Sequence, residues 1–311
     1  MSEEFDIITA GESLIELSST KDLLYSQSLD VFYGGDALAA AIAAARLGSK
    51  VGYISKVGND SFKDYLLDSW QSEGLDISQV KLVESANGLY VIKYSDDGTR
   101  EFSYYRKKSA GCNICDEDIN INYLKKAKIF YATGALQALS ITAKEAIKKT
   151  FSSAKENGIV TAYKPNFIPK LISKDEAKEN FSDVAENLDI IILSVKGEGA
   201  NLFDIDSPNN LIKYFWGLGI STVVIKTSQE KGYYTGSKSG ISFTEFYTTD
   251  VVDTTGSSDA FAGAFLHATA NGFPPLEATK LGSIVEGLQT QKIGAIKSIP
   301  KKDEVYKIYK G

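Results

Sequence analysis

Short β-rich runs alternate with longer amphipathic stretches along most of the 311 residues, and this alternation constrains the fold more than any other feature. Parallel strands joined by crossover helices produce this pattern. The predicted core strands are 5–10, 51–55, 128–133, 159–163, 190–194 and 222–226. The predicted helices are 61–73, 143–157, 209–218 and 276–289. The sequence therefore predicts an α/β fold with a doubly wound, mostly parallel sheet flanked by helices.

Two stretches interrupt the alternation and predict a small second sheet. Apolar and polar side chains alternate on both sides of Asp96-Asp97-Gly98, and Asp-Gly is favoured at a hairpin turn. An earlier stretch also lacks a helical period. We predict a β-sheet lid over a ligand cleft, with strands within about 13–32 and 88–108. No repeat or linker divides the chain, so residues 1–311 are expected to form a single domain.

Charge and hydropathy exclude two classes of partner. The chain has 34 basic and 40 acidic residues, a formal net charge of −6. No concentrated Lys/Arg block could follow a phosphate backbone, so nucleic acid is not an expected partner. No basic and apolar leader or bilayer-length apolar run is present, so no membrane is expected and the expected location is cytoplasmic.

Cys112 and Cys115 are the two cysteines, and His267 is the single histidine. A tetrahedral metal site needs four ligands, and no second Cys/His cluster completes one. We therefore expect two free thiols. His267 lies about two helical turns beyond Asp259, so we expect it to pack or to form a hydrogen bond away from the helix start.

The run VDTTGSSDAFAGA at 252–264 is the segment that carries chemistry. A turn of small residues leads into a helix predicted from Asp259 to Asn271, and free N–H groups at a helix start attract anions. A phosphate fits there, and Asp259 is placed to accept a proton from an attacking hydroxyl. The alternative is plain capping, in which Ser257, Ser258 and Asp259 only satisfy N–H groups.

Within that run, DTTGSSDAF at 253–261 resembles the Asp-Thr-x-Gly-Ala-Gly-Asp signature of the PfkB (ribokinase-like) carbohydrate kinases, whose last Asp is the catalytic base. Further motifs follow in family order: GESLIEL at 11–17, YGGDAL at 33–38, ARLG at 45–48, KVGNDSF at 56–62, GLY at 88–90, YYR at 104–106, TGA at 133–135 and GAI at 294–296. The resemblance covers nearly the whole chain. It is greatest to 2-keto-3-deoxygluconate kinases and implies a ribokinase-like fold.

The resemblance implies an ATP-dependent kinase that transfers the γ-phosphoryl group to a hydroxyl of a small sugar or sugar acid, best matched by a 2-keto-3-deoxygluconate-like acceptor. Asp259 would be the base, with an anion hole at Gly256, Ser257 and Ser258. The implied substrate-binding residues are Gly35, Asp36, Tyr90, Tyr104, Arg106 and Asn166. The implied nucleotide-binding residues are Ser228, Gly232 and Thr255, and Glu198 is the candidate ligand for Mg²⁺. A homodimer through the lid is also implied, and K⁺ is an open candidate cofactor.

Several positions depart from the family pattern, and they concentrate at the expected active site. They are Ala39 for a sugar-binding Asn, Lys164 for an acid, Ile168 for a carboxylate-binding Arg, Lys196 and Gly199 in place of Asn-x-x-Glu, and Ser258 for a glycine. A charge reversal and a lost guanidinium change how a sugar acid is recognised. Two alternatives therefore stay open. One is a non-catalytic ribokinase-fold protein that binds a ligand or partner, and the other is a kinase for fructose, ribose or a nucleoside.

Overall fold

The fold is built on one large mixed sheet. In the computed structural model, which describes residues 4–19, 23–94 and 100–310, the strands form a nine-stranded and a four-stranded sheet. The strands are β1 (Phe5–Ala10), β2 (Leu14–Ser18), β3 (Asp30–Gly34), β4 (Val51–Gly58), β5 (Leu75–Val83), β6 (Gly88–Tyr94), β7 (Arg100–Tyr105), β8 (Ala127–Thr133), β9 (Val160–Lys164), β10 (Ile190–Ser194), β11 (Thr222–Thr227), β12 (Gly232–Ser237) and β13 (Gly240–Glu245).

The large sheet has the order β13-β12-β11-β10-β9-β8-β1-β4-β5. Every neighbouring pair from β5 to β11 is parallel, whereas β12 and β13 add an antiparallel edge. The carboxyl ends of β8, β9, β10 and β11 therefore meet at one edge of the sheet. In open α/β sheets this edge is where ligands bind.

Helices cover both faces of the large sheet. They are α1 (Asp36–Leu47), α2 (Lys63–Ser72), α3 (Ile121–Leu124), α4 (Gly134–Gln137), α5 (Ile141–Glu156), α6 (Lys174–Ala185), α7 (Ala200–Leu202), α8 (Pro208–Gly217), α9 (Ser257–Ala270), α10 (Pro275–Gln289) and α11 (Lys302–Tyr309). One core cluster joins the sheet to α1, α9 and α10, and the other joins it to α5, α6 and α8. Ile7 and Ile8 are adjacent on β1 and belong to opposite clusters, as the two-residue period of a strand requires.

The four-stranded sheet is the predicted lid, with the order β3-β2-β6-β7. Strands β2 and β6 are parallel, and the two outer pairs are antiparallel. Leu14, Tyr90 and Ile92 form a small core beneath it, joined by Phe102. The fold prediction is confirmed, while the turn predicted at Asp96-Asp97-Gly98 lies outside the described residues. Among the helices of the described chain, none is long and apolar enough to cross a membrane.

Candidate active site

Two cavities lie side by side at the carboxyl edge of the large sheet. The first, which we call the lid cavity, has a volume of about 300 Å³. Its lining includes Glu12, Gly35, Asp36, Ala39, Tyr90, Phe102, Tyr104, Arg106, Asn166, Ile168, Thr255, Gly256 and Asp259. The second, which we call the adjacent cavity, measures about 330 Å³. It is lined by Lys164, Asn166, Ile192, Leu193, Ser194, Glu198, Lys226, Ser228, Tyr233, Thr254, Ser257, Ser258 and Phe261.

The start of α9 stands between these cavities. Gly256 precedes the helix with φ 72°, a left-handed conformation that glycine adopts without strain. The N–H groups of Ser257 and Asp259 donate to the carbonyls of Thr254 and Gly256, at 3.2 and 3.0 Å. Within the described residues no hydrogen bond occupies the N–H groups of Gly256 and Ser258. These two donors, with the helix dipole, form the part of the anion hole that can hold an oxyanion.

Asp259 is held by an ion pair that the sequence did not predict. The Lys164 ammonium, at the end of β9, contacts the Asp259 carboxylate and donates to Ser258 Oγ at 2.8 Å. Both side chains are largely buried, 7% and 14% exposed. Burial raises the pKa of Asp259, although Lys164 opposes the shift. Burial alone would lower the pKa of Lys164, but the nearby Asp259 carboxylate raises it, and the net shift is upward. The base candidate therefore depends on its lysine for a charged state.

The start of α1 brings a second carboxylate into the lid cavity. Asp36 accepts hydrogen bonds from Thr133 Oγ1 at 2.6 Å and from Asn166 Nδ2 at 2.7 Å. Gly35, at φ 151°, lets the chain pass so close that a Cβ there would lie 2.4 Å from the Glu12 carbonyl oxygen. This close approach positions Asp36 at the start of α1, and Asp36 and Asp259 line the same cavity.

The lid contributes a guanidinium and aromatic walls. Arg106 is ion-paired with Glu12, which also accepts from Ser109 Oγ at 3.2 Å. Burial raises the pKa of Glu12 although Arg106 opposes the shift. The Arg106 guanidinium lies 5.9 Å from the ring centre of Tyr104, within cation–π range. Tyr90 donates its hydroxyl to Glu16, so it presents its ring to the cavity.

The predicted nucleotide-binding residues do not all line the same cavity. Ser228 lines the adjacent cavity, and Thr255 lines the lid cavity. Gly232 lines neither cavity and belongs to the β11–β12 hairpin, where a Cβ would lie 2.4 Å from the Thr244 carbonyl oxygen. Its small size therefore serves strand packing.

Glu198 lines the adjacent cavity and accepts 2.9 Å hydrogen bonds from the N–H and Oγ of Ser194. In the described part of the chain no group of three or more His, Cys, Asp or Glu residues could hold a metal ion. Mg²⁺ is commonly bound by one or two carboxylates together with substrate phosphates, and a single Glu198 fits that mode. Cys112 and Cys115 are free cysteines.

The polar and charged residues that line the site without having been predicted as functional include Glu12, Lys164, Thr254 and Lys226. For Lys164 a signal is already visible in the sequence. A lysine at the end of a buried strand, where the resemblance calls for an acid, indicates a buried partner of opposite charge. Lys226 instead pairs with Glu286 at 2.6 Å, and Glu286 also accepts from Ser257 Oγ at 3.0 Å.

An acid beside a helix start that can hold an anion suits phosphoryl transfer to a hydroxyl. The fold and this site are those of a small-molecule kinase. Residues 5–302 match the pfkB family carbohydrate kinases, and the chain belongs to this family. It is thus a phosphotransferase that acts on a sugar.

Three comparisons locate the chain within known proteins. It is 28% identical to a probable fructokinase-4 of Arabidopsis thaliana, covering 98% of this chain and 97% of that one. It is 27% identical to a 2-dehydro-3-deoxygluconokinase of Thermoproteus tenax, with 98% and 94% covered. A putative ribokinase II of E. coli, solved with ATP and Mg²⁺, has a TM-score of 0.89 at 25% identity and covers 100% of this chain and 99% of its own.

Proposed function

We propose that this protein transfers the γ-phosphoryl group of ATP to a hydroxyl of a 2-keto-3-deoxygluconate-like sugar acid, with Asp259 as the general base. The observation that carries this proposal is the position of α9. Asp259 and Gly256 line the lid cavity while Ser257 and Ser258 line the adjacent one, so the base faces the first ligand and the anion hole lies at the boundary between the two ligands. The ATP and Mg²⁺ in the E. coli relative support the choice of donor and metal.

In this proposal each cavity has one task. The adjacent cavity takes the nucleotide phosphates, and the N–H groups of Gly256 and Ser258 stabilise the γ-phosphoryl group at the boundary with the lid cavity. Glu198 would hold Mg²⁺ together with those phosphates, and the bound ion would neutralise their charge. In the lid cavity Asp36 accepts from sugar hydroxyls, and the ring of Tyr90 excludes water from the reacting groups.

Arg106 supports an acidic acceptor because its guanidinium offers planar donors for a carboxylate. A second candidate, a neutral ketose such as fructose, is favoured by two observations. Ile168, which replaces the carboxylate-binding Arg of the family, lines the same cavity. Arg106 is also already paired with Glu12, so the cavity has little spare positive charge.

The test is ADP release with Mg²⁺ and ATP against 2-keto-3-deoxygluconate, fructose, ribose and nucleosides. We expect the highest kcat/KM for the sugar acid. In the double variant Glu12→Gln/Arg106→Gln the KM for the sugar acid should rise by at least ~10-fold. Removing both charges together leaves no buried carboxylate unpaired. Ile168→Arg should raise the kcat/KM for the sugar acid relative to the kcat/KM for fructose. A higher kcat/KM for fructose would move the acceptor to the neutral ketose, and no ADP release with any acceptor would contradict the proposal.

We also propose a homodimer through the outer face of the lid. The register of the lid strands places Leu17, Val31 and Val91 in one row and Tyr33, Leu89 and Tyr105 in the next. The opposite face carries Tyr90 and Tyr104, which line the lid cavity. Leu17, Tyr33 and Leu89 pack partly against the main core, whereas Val31 is 45% and Tyr105 64% exposed, so part of this face has apolar surface that a second copy of the chain would cover.

A further inference from the structure

We propose that Lys164 links the base to the phosphate that is transferred: its ammonium positions Asp259 and also contacts the γ-phosphoryl group of the bound nucleotide. The inference rests on the proposed function, in which Asp259 accepts the proton. Lys164 would therefore contribute to catalysis at a position where related kinases are expected to carry an acid.

The first support is placement. Lys164 lines the adjacent cavity, whereas its partner Asp259 lines the lid cavity. The ion pair therefore crosses the boundary that a phosphoryl group would pass on its way from one ligand to the other. Lys164 is fixed there because it ends a central strand, β9, which pairs with β8 and β10.

The second support is the number of donors. A lysine ammonium carries three N–H groups. Asp259 and Ser258 accept two of them, and the described residues supply no hydrogen-bond acceptor for the third. An anion in the adjacent cavity can accept that third N–H, and the nucleotide phosphates are the anions expected there. Lys226, which lines the same cavity, is already paired with Glu286.

The third support is the charge around the pair. The charged and titratable groups that act on Asp259 and Lys164 are Asp36 on α1, Glu198 after β10, Tyr104 on β7 and Tyr131 on β8. Both carboxylates, Asp36 and Glu198, raise the pKa of Asp259, as burial does. Lys164 is the group that lowers it. Without this cation, a buried aspartate among carboxylates and phosphates would hold a proton and could not act as a base.

The transfer step then balances as follows. The acceptor hydroxyl gives its proton to Asp259, and its oxygen forms a bond to the γ-phosphorus. The bond from that phosphorus to the bridging oxygen of ADP breaks, and ADP leaves with the electron pair. Lys164 remains protonated throughout, so its charge stabilises first the carboxylate and then the phosphoryl group.

Turnover of Lys164 variants gives the first test. We expect Lys164→Met to lower kcat by at least ~100-fold at neutral pH with a smaller change in the KM for the sugar. The acid limb of its kcat–pH profile should move to higher pH, because Asp259 loses the cation that lowers its pKa. Lys164→Arg should retain more activity than Lys164→Met. Equal or greater turnover in Lys164→Met or Lys164→Asp would overturn the proposal.

Nucleotide binding without acceptor gives a second test that does not need turnover. We expect Lys164→Met to weaken binding of the non-hydrolysable analogue AMP-PNP by about 10-fold while ADP binding changes little, because only AMP-PNP has a γ-phosphate. An equal effect on both nucleotides, or on neither, would overturn the contact with the γ-phosphate. If the wild type turns over no acceptor but this binding difference appears, the proposed function fails and the contact stands.

Lys56→Met is the matched control. The Lys56 side chain forms a largely buried ion pair with Asp118 at 2.8 Å. Neither residue lines the lid cavity or the adjacent cavity. We expect this variant to be less stable but to keep the wild-type pH profile and nucleotide affinities. A shifted acid limb in Lys56→Met would show that loss of any buried lysine has this effect, and it would contradict the specific role of Lys164.

Discussion

At the residue scale, two acids of the proposed site are each buried beside a cation. Asp259 is buried beside Lys164, and Glu12 is buried beside Arg106. In each pair, burial raises the pKa of the acid and the cation opposes the shift. Breaking such a pair leaves one charge buried without compensation, which commonly costs ~3–5 kcal/mol. Variants at these positions are therefore best compared with double variants that remove both charges.

His267 gives a prediction at the same scale. Its ring nitrogens contact Ser49 Oγ at 2.7 Å and Tyr306 Oη at 3.0 Å, and burial lowers its pKa to about 4. The folded state then keeps His267 neutral while the unfolded chain binds a proton below about pH 6.5. We expect up to about 3 kcal/mol of stability to be lost as the pH falls from about 6.5 to about 4.

Chemical unfolding across this pH range checks the prediction, with His267→Gln as the comparison. All other titratable groups are present in both proteins. The difference between the two curves of unfolding free energy against pH therefore isolates the contribution of the histidine. The variant should lose less stability than the wild type between pH 6.5 and pH 4. Parallel curves would contradict a neutral, buried His267.

At the scale of elements, two helices carry the carboxylates of the proposed site, and these helices are closely packed. Helix α1 starts with Asp36, and α9 has Asp259 in its first turn. A Cβ at Gly263 would lie 2.1 Å from the Ala40 carbonyl oxygen, so the two helices approach closely at this glycine. A shift there would change the distance between the two carboxylates.

We expect Gly263→Ala to destabilise the protein by about 1–3 kcal/mol or more, because overpacking forces α1 and α9 apart. Gly217→Ala is the matched control, since Gly217 also lies in a helix and a Cβ there meets nothing within 4 Å. The control should be neutral or slightly stabilising because alanine favours helices. Equal thermal unfolding midpoints for both variants would contradict this packing.

The elements also show what the sequence could predict. Buried parallel strands such as β1 and β10 are short apolar runs, and their predicted bounds match the structure. Strand β5 was not predicted because it lies at an edge, where apolar and polar residues follow no regular alternation and most positions are partly or fully exposed. The β12–β13 hairpin was also missed, since β12 has glycines at both Gly232 and Gly236. In contrast, the Lys164–Asp259 pair joins residues 95 positions apart and depends on how the strands are ordered.

At the scale of the whole molecule, the proposed homodimer would form through the outer face of the lid. If the apolar rows through Val31 and Tyr105 form the dimer interface, a charge within them should prevent association. We expect the wild type to sediment as a dimer at micromolar concentration and Val31→Lys to sediment as a monomer. Leu82→Lys is the control, because Leu82 is 52% exposed on β5 of the large sheet. A monomeric wild type, or a dimeric Val31→Lys, would contradict the proposed interface.

The most direct measurement of the proposed mechanism is phosphoryl transfer by the wild type and by Asp259→Asn, followed as sugar phosphate formed from ATP. Asparagine keeps the shape of the side chain but cannot accept the proton, so we predict a fall in kcat of at least ~100-fold. ADP affinity and the thermal unfolding midpoint, measured on the same samples, should show that the variant is folded and binds nucleotide. Undiminished sugar phosphate formation by Asp259→Asn would contradict the assignment of Asp259 as the base.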